Sequence, residues 1–388
     1  MKKLLTFFFI FISTILLSQK YTGLALTPPM GWNSWNKFAC NINETTIKEI
    51  ADAMVTSGMK DAGYEYIVID DCWQIDRDSL GNIIIDPDRF PSGMKELADY
   101  IHSKGIKFGI YSDAGTKTCQ GRPGSRGYEF QDARTYATWE VDYLKYDWCN
   151  HGKQNPEASY SIMRDALAKA GRPIVFSICE WGTNKPWIWA KDIGHLWRTS
   201  EDILNCWDCT TNWGGMGWPL ILDKQVGLEK YSGPGHWNDP DMLEVGNSGL
   251  TFIESKAHFS LWCMLAAPLM AGNDLRNMTE ETREILTNKE VIAIDQDILG
   301  IQGFKIIDEG DFEIWEKPLI NGDIAICLFN RGNKTIVKEI TWEELNISEN
   351  FKIRDIWLKK NIGKTKNNFK TEIVAHSVVL LRLSLEKL

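Results

Sequence analysis

The chain has 388 residues and a formal charge of −9 at pH 7, with 43 Lys and Arg against 52 Asp and Glu. An acidic chain without a basic cluster argues against nucleic acid or anionic membranes as partners. With 44% hydrophobic residues it can bury a large core, and its length exceeds one ordinary domain.

Lys2-Lys3 precede an apolar run from Leu4 to Leu17, broken at Ser13-Thr14 and followed by Ser18-Gln19. Residues 1–18 therefore read as a secretory signal peptide; as a membrane span the core is short and the flanks are wrong. No other long apolar run exists, so the chain is expected to be exported, secreted or periplasmic, and free of the membrane once the leader is cleaved. Without Lys2 and Lys3 its charge is −11. About 370 residues remain, room for a large barrel plus a small appendage.

From residue 30 onward, short β-rich runs alternate with helical windows, the signature of βαβ units and a parallel sheet. Strands are predicted at 30–35, 66–71, 107–111, 141–147, 173–179, 195–198, 236–239 and 269–271. Residues 44–59 carry Ile47, Ile50, Ala51 and Met54 at helical spacing. Ser92 is placed to cap a helix bearing Leu97, Tyr100 and Ile101 that stops at Lys104-Gly105. Further helical windows span 156–170 and 254–267. Eight such units by residue 300 make a (β/α)8 TIM barrel, with a doubly wound sheet as the fold-level alternative. After Gly300 the texture changes to alternating runs punctuated by the hairpin signal Asn321-Gly322, and 377–383 reads as a buried strand. The α/β barrel is assigned to 19–302 and a C-terminal antiparallel β-sandwich to 303–388.

The segment Val141-Asp-Tyr-Leu-Lys-Tyr-Asp-Trp-Cys-Asn150 places Val141, Tyr143, Lys145 and Asp147 on one strand face. A carboxylate at the mouth of a buried strand, beside a cation, suits a nucleophile or charge stabiliser. It suits a structural Lys145–Asp147 ion pair equally well. Nearly every predicted strand ends in a comparable polar group. The others are Trp35-Asn36, Asp70-Asp71-Cys72-Trp73, Tyr111-Ser-Asp113, Cys179-Glu180-Trp181, Arg198 leading to Asp202, and Asn238-Asp239-Pro-Asp241. A single strand-end Asp is commonly a helix cap, and Asp113 or Asp202 alone reads that way. Seven polar ends at the C-terminal rim of one barrel read as a site.

Many of the 17 Trp, among them Trp32, Trp35, Trp73, Trp148, Trp181, Trp213 and Trp237, stand near Gly, Asp or Asn. Flat apolar faces next to carboxylates suit a sugar. There is no Gly-x-Ser-x-Gly elbow, no Cys–His nucleophile pair and no phosphate-cradling Gly loop, and six His are too few for a His-rich metal site. Nine Cys in an exported chain suggest disulfides with one left over. Cys206-Trp-Asp-Cys209 lacks a second ligand pair at zinc spacing and reads as a local disulfide or free thiols. No metal and no cofactor is expected. A carboxylate-rich, Trp-rich pocket with one Lys and one Arg points to glycoside hydrolysis, which needs one ionised and one protonated carboxyl flanking the anomeric carbon.

On these residues the chain resembles glycoside hydrolase family 27, the α-galactosidases and α-N-acetylgalactosaminidases. The matching stretches include Thr27-Pro-Pro-Met-Gly-Trp-Asn-Ser-Trp35, Ile69-Asp-Asp-Cys-Trp73, Leu144-Lys-Tyr-Asp-Trp-Cys149, Trp197-Arg-Thr-Ser-Glu-Asp202 and Gly233-Pro-Gly-His-Trp-Asn-Asp-Pro-Asp-Met242. They run in order along the barrel, and the sandwich also fits the family. The resemblance implies a retaining exo-α-galactosidase with Asp147 as nucleophile and Asp202 as acid/base. It implies that Lys145 and Arg198 keep Asp147 ionised and bond sugar hydroxyls, and that Asp70 and Asp71 grip the 4- and 6-hydroxyls. Trp35 and Trp73 would form the apolar wall, Tyr111 would sit at the rim, and Glu180 and Trp181 would crowd the 2-position, favouring a bare hydroxyl. It also implies disulfides Cys40–Cys72 and Cys119–Cys149, and a free Cys179. The alternatives are α-N-acetylgalactosaminidase, β-L-arabinopyranosidase, or a silent galactose-binding protein. The oligomeric state is not specified by the sequence.

Overall fold

Eight parallel strands build the first and larger unit of the computed structural model, which describes residues 20–385. The leader expected at 1–18 lies outside the described residues. The strands are β1 (Met30–Asn33), β2 (Tyr66–Val68), β3 (Lys107–Asp113), β4 (Tyr143–Asp147), β5 (Val175–Cys179), β6 (Leu196–Arg198), β7 (Trp237–Asp239) and β8 (Leu269–Ala271). From β1 to β7 each strand pairs with its sequence neighbour, and β8 pairs with β1. The ring closes beyond β7, where Leu243 bridges Ala271 and its N–H donates to Met270 O at 2.8 Å. That closure makes a (β/α)8 barrel and removes the doubly wound alternative. Strands buried on both faces read as near-continuous apolar runs, and all five residues of β5 are buried.

Three strand ends differ from expectation, the first being the run predicted to Trp35, which stops at Asn33 because Trp35–Phe38 forms a helical turn. The run predicted to Asp71 leaves the ladder after Val68 because the Ser34 hydroxyl takes the Asp70 N–H at 2.9 Å. Conversely β3 continues to Asp113, which pairs in register with Asp147.

Helix α1 (Glu44–Thr56) starts at Asn43, whose side chain accepts from Thr46 N at 2.9 Å, and stops before Gly58 at φ +86. Left-handed backbone cannot continue a helix, so Met59–Ala62 is a separate turn. Helix α2 (Gly93–Ser103) lacks the expected Ser92 side-chain cap; Ser92 is itself αR, and its N–H instead donates to the Glu44 carboxylate at 3.0 Å. Helix α3 (Glu129–Thr138) was not signalled by apolar spacing, since only Asp132, Ala133 and Tyr136 face inward. Helix α4 (Pro156–Ala170) matches its window, with Asn155 as cap and Gly171 at φ +82 closing it.

Helix α5 (Phe252–Met264) opens with a Thr251–Glu254 capping box and is buried from Ala257 onward. It is enclosed because the barrel lies on one side and the C-terminal unit on the other. That unit has β9 (Phe304–Asp308), β10 (Phe312–Pro318), β11 (Ile324–Asn330), β12 (Ile336–Ile340), β13 (Phe351–Asp355), β14 (Lys360–Lys364), β15 (Phe369–Ile373) and β16 (Ser377–Leu385). The six-stranded sheet has order β9-β10-β11-β16-β13-β14, and β12 pairs with β15, all antiparallel. The predicted turn sits between β10 and β11, with Asn321 at φ +65 and Gly322 at φ +78. Alternation divides β11 cleanly. Ala325, Cys327 and Phe329 join the core shared with the barrel, while Ile326 and Leu328 join the sandwich's own.

Disulfides link Cys40–Cys72, Cys119–Cys149 and Cys206–Cys209. Three thiols remain free rather than one: Cys179, Cys263 and Cys327, all buried. Cys is among the most buried residue types and packs as a small hydrophobe, so its count overstates the cross-links. The first two bridges span 32 and 30 residues. Loops of that size are stabilised by about 3–4 kcal/mol on the chain-entropy account.

Candidate active site

The C-terminal ends of the strands surround a cavity of about 600 Å³. Asp70, Asp71, Tyr111, Lys145, Asp147 and Asp202 line it together with Trp35, Trp181 and Trp213. Strand pairing puts β4 between β3 and β5, and the predicted face holds: Tyr143 and Lys145 point into the barrel interior, and Asp147 sits at its mouth.

Asp147 is buried. One carboxylate oxygen accepts from Trp148 N at 2.9 Å and the other from the Tyr111 hydroxyl at 3.0 Å. Burial pushes its carboxyl up to about 6; Lys145 opposes this, and Asp202 and Asp70 add to it. Its register partner Asp113 is pushed up to about 9, by burial and then by Asp147. Asp113 takes no place in the cavity lining. It accepts from Gly115 N and Cys149 N, bracing the loops around the Cys119–Cys149 bridge.

Lys145 makes its ion pair with Asp70, at 2.8 Å, and not with Asp147 as expected. The strand neighbour two residues away is close in sequence, but Asp70 at the end of β2 is the carboxylate the ammonium reaches. Lys145 acts on Asp147 through its field. Burying such a pair costs several kcal/mol of desolvation per ion, so the pair is weak evidence for a stability role. Asp70 also accepts from Asn33 Nδ2 at 2.8 Å and Asp71 N at 2.9 Å. Asp71 accepts from Cys72 N at 2.7 Å and Gln120 N at 3.0 Å. An ionised carboxylate offers about four lone-pair sites. The Thr118 side chain also bonds Asp71, so Asp70 and Asp71 each keep one acceptor site for hydroxyl groups entering the cavity.

Asp202 stands across the cavity with its side chain 41% exposed, paired with Arg198 at 3.0 Å. Arg198 is buried and also pairs with Asp241 at 2.9 Å. It does not reach Asp147, contrary to expectation, because both acids on its own side of the barrel hold it.

A family model described as "Alpha galactosidase A" matches residues 27–297, and one described as "Alpha galactosidase C-terminal beta sandwich domain" matches 309–383. The chain belongs to the alpha-galactosidase family, glycoside hydrolase family 27. It is 57% identical to "Alpha-galactosidase A" of Cellvibrio japonicus, over 95% of this chain and 94% of that protein. It is 50% identical to "Alpha-galactosidase 2" of Arabidopsis thaliana, over 94% and 91%. The crystal structure of alpha-galactosidase I from Mortierella vinacea superimposes with a TM-score of 0.91 at 39% identity, covering 94% of this chain and 98% of that one.

Within this alpha-galactosidase fold, three expected cavity residues stand behind the wall. Trp73 is fully buried, packed edge-on to Trp139 and donating its indole N–H to Tyr111 O at 2.9 Å. It supports the strand that carries Tyr111. Glu180 is also wholly buried; one oxygen accepts from Asn184 N and Nδ2 at 2.7 and 2.8 Å, and the other has no partner. Burial lifts its carboxyl to about 7. It ties the turn that presents Trp181 at φ +59. Arg198 lies below Asp202, lining the narrow space under the cavity with Cys179, whose thiol burial pushes up. Gln120, Glu201 and Trp213 line the cavity without having been singled out as site residues. The only signal for Trp213 was its place near Asn212 and Gly214, and proximity to Gly, Asp or Asn is shared with core tryptophans such as Trp32 and Trp237.

Proposed function

We propose that this chain is a retaining exo-α-galactosidase that removes terminal α-D-galactosyl residues from galactosides and galacto-oligosaccharides. The observation that carries the reading is one cavity holding Asp147, Asp202, Asp71 and the Asp70–Lys145 pair among three tryptophan faces. Asp147 attacks the anomeric carbon as Asp202 protonates the departing oxygen, giving a galactosyl ester on Asp147. Asp202 then takes a proton from water, which attacks the same carbon and frees Asp147. The free acceptor sites of Asp70 and Asp71 suit the 4- and 6-hydroxyls. A gluco epimer, with its 4-hydroxyl turned away, would leave buried acids unpaired. We also propose that the protein is exported; the apolar run behind Lys2-Lys3 and the three disulfides support an oxidising compartment.

A panel of aryl α-galactoside, α-glucoside, α-N-acetylgalactosaminide and β-L-arabinopyranoside tests this. The α-galactoside should lead, with the α-glucoside lower by on the order of 10⁴-fold in kcat/KM. Preference for either of the last two would replace galactose as the substrate. Galactose binding without turnover would leave only a binding protein.

The pH profile follows from Asp147. Its folded carboxyl is raised to about 6, so it is protonated and not nucleophilic below that pH. The acid limb of kcat/KM should therefore fall near pH 6, with activity lost as the pH drops. Lys145→Met removes the cation that favours the ionised form and should move the limb upward, to roughly pH 7. A limb that stays in place would show that Lys145 does not act on the nucleophile.

A further inference from the structure

The mechanism above makes no use of the chain that follows Asp202, which folds back at the cavity mouth. Its two-residue strand Ile203–Leu204 pairs with Met216–Gly217, and Met216 N donates to Asp202 O at 3.0 Å. The Cys206–Cys209 bridge lies between them, and Gly217 N donates to Cys209 O at 2.9 Å. At the tip, Thr211 N donates to Gly215 O at 2.8 Å and Gly214 N to Thr211 O at 3.2 Å. The loop is thus clamped by a covalent bond and backbone hydrogen bonds on both of its flanks.

Trp213 stands on this tip. It is 55% exposed, yet it lines the cavity that holds Asp147. Its ring lies against Gly215, where a Cβ would come within 2.3 Å of the indole. At Gly214, φ +103, a Cβ would come within 2.8 Å of Glu201 Cγ. Two adjacent glycines therefore leave room for Glu201 on one and for the indole on the other, and both side chains line the same cavity as Asp202. Burial and the neighbouring Asp202 raise the Glu201 carboxyl above its ordinary range. An indole left half in water forgoes on the order of 1–2 kcal/mol of burial, and here a clamped loop holds it in that position. Asp202 protonates the departing oxygen, so whatever lies on its outward side touches the leaving group and not the galactosyl ring.

We propose that Trp213 and Glu201 form a leaving-group subsite for a second pyranose, stacked by its C–H face on the indole and hydrogen-bonded to the Glu201 carboxyl. The favoured substrates are then galactose α-linked to another sugar, over galactosides of non-sugar alcohols. This rests on the α-galactosidase reading.

The test compares an α-galactosyl disaccharide with α-galactosyl fluoride, which carries no ring in the leaving-group position. In Trp213→Ala the kcat/KM ratio of disaccharide to fluoride should fall roughly tenfold, mainly through KM. Glu201→Gln should lower it about threefold, and Trp213→Phe should restore most of the stacking contribution. An unchanged ratio in Trp213→Ala would overturn the subsite, as would an equal loss on both substrates. A wild type inert on both would overturn the galactosidase reading itself, and this subsite with it.

Discussion

Asp147→Asn is expected to lower kcat/KM for an aryl α-galactoside by on the order of 10⁵-fold, while galactose still binds. The substitution keeps the shape of the side chain and the oxygen that accepts from Trp148 N. It removes the lone pair and charge that attack the anomeric carbon. Because burial raises the carboxyl to about 6, the ionised form destabilises the fold above that pH. The sign follows from linkage: a raised acid favours the native state below its unfolded pKa, and that contribution is gone once pH passes 6. The melting temperature of Asp147→Asn at pH 7.5 should therefore be no lower than that of the wild type, so the loss of rate cannot be assigned to unfolding. Azide separates the possible roles further. In Asp147→Ala, azide can enter the space the carboxylate vacated and attack C1 as the leaving group departs, giving the β-galactosyl azide. Activity within tenfold of wild type in Asp147→Asn would remove Asp147 as nucleophile.

The place of Asp147 at the cavity mouth was legible because that evidence is local, whereas its role as nucleophile came only from the family resemblance. Period two along one strand places Lys145 and Asp147 together, and a parallel barrel sends strand ends to one rim. The barrel itself was legible for a related reason: strands buried on both faces give apolar runs that survive without any alignment. What was misread depends on contacts far apart in the chain. Lys145 reaches Asp70, 75 positions away, and Arg198 is held by Asp241 from the next strand end. Nothing at Lys145-Tyr-Asp147 reveals a competing carboxylate at another strand end. Trp73 and Trp213 were misjudged in opposite directions, since both stand beside small or acidic residues. Burial is decided by where the backbone turns: Cys72 at φ +80 sends Trp73 under the rim, while the glycines at 214 and 215 hold Trp213 out. The Ser92 cap failed for the same kind of reason, because Glu44 on another helix supplies the partner.

Asp202→Ala should show a loss that depends on the leaving group, and this dependence is what distinguishes an acid/base from a second binding carboxylate. For an α-galactosyl disaccharide, whose departing alcohol needs a proton, kcat/KM should fall by roughly 10²–10⁴-fold. For a nitrophenyl galactoside or the fluoride, departure needs little or no protonation, and kcat/KM should fall far less. The second step then becomes limiting, because no base remains to activate water against the galactosyl ester on Asp147. Added azide, which needs no deprotonation, should accelerate turnover of such substrates and give the α-galactosyl azide, since it attacks the ester from the face the first leaving group left. The two variants thus predict azides of opposite anomeric configuration from one substrate. The position of Asp202 fits both steps. Its side chain is 41% exposed while Asp147 is buried, so it can exchange protons with solvent between turnovers. Arg198 is held at 3.0 Å by Asp202 and at 2.9 Å by Asp241, so the guanidinium keeps a partner when Asp202 is removed. The fold should therefore tolerate the substitution. Equal loss on every leaving group, or a β-galactosyl azide from Asp202→Ala, would move the acid/base role to another residue, and Glu201, next to Asp202 in the chain and also in the cavity lining, is the carboxyl to test for it.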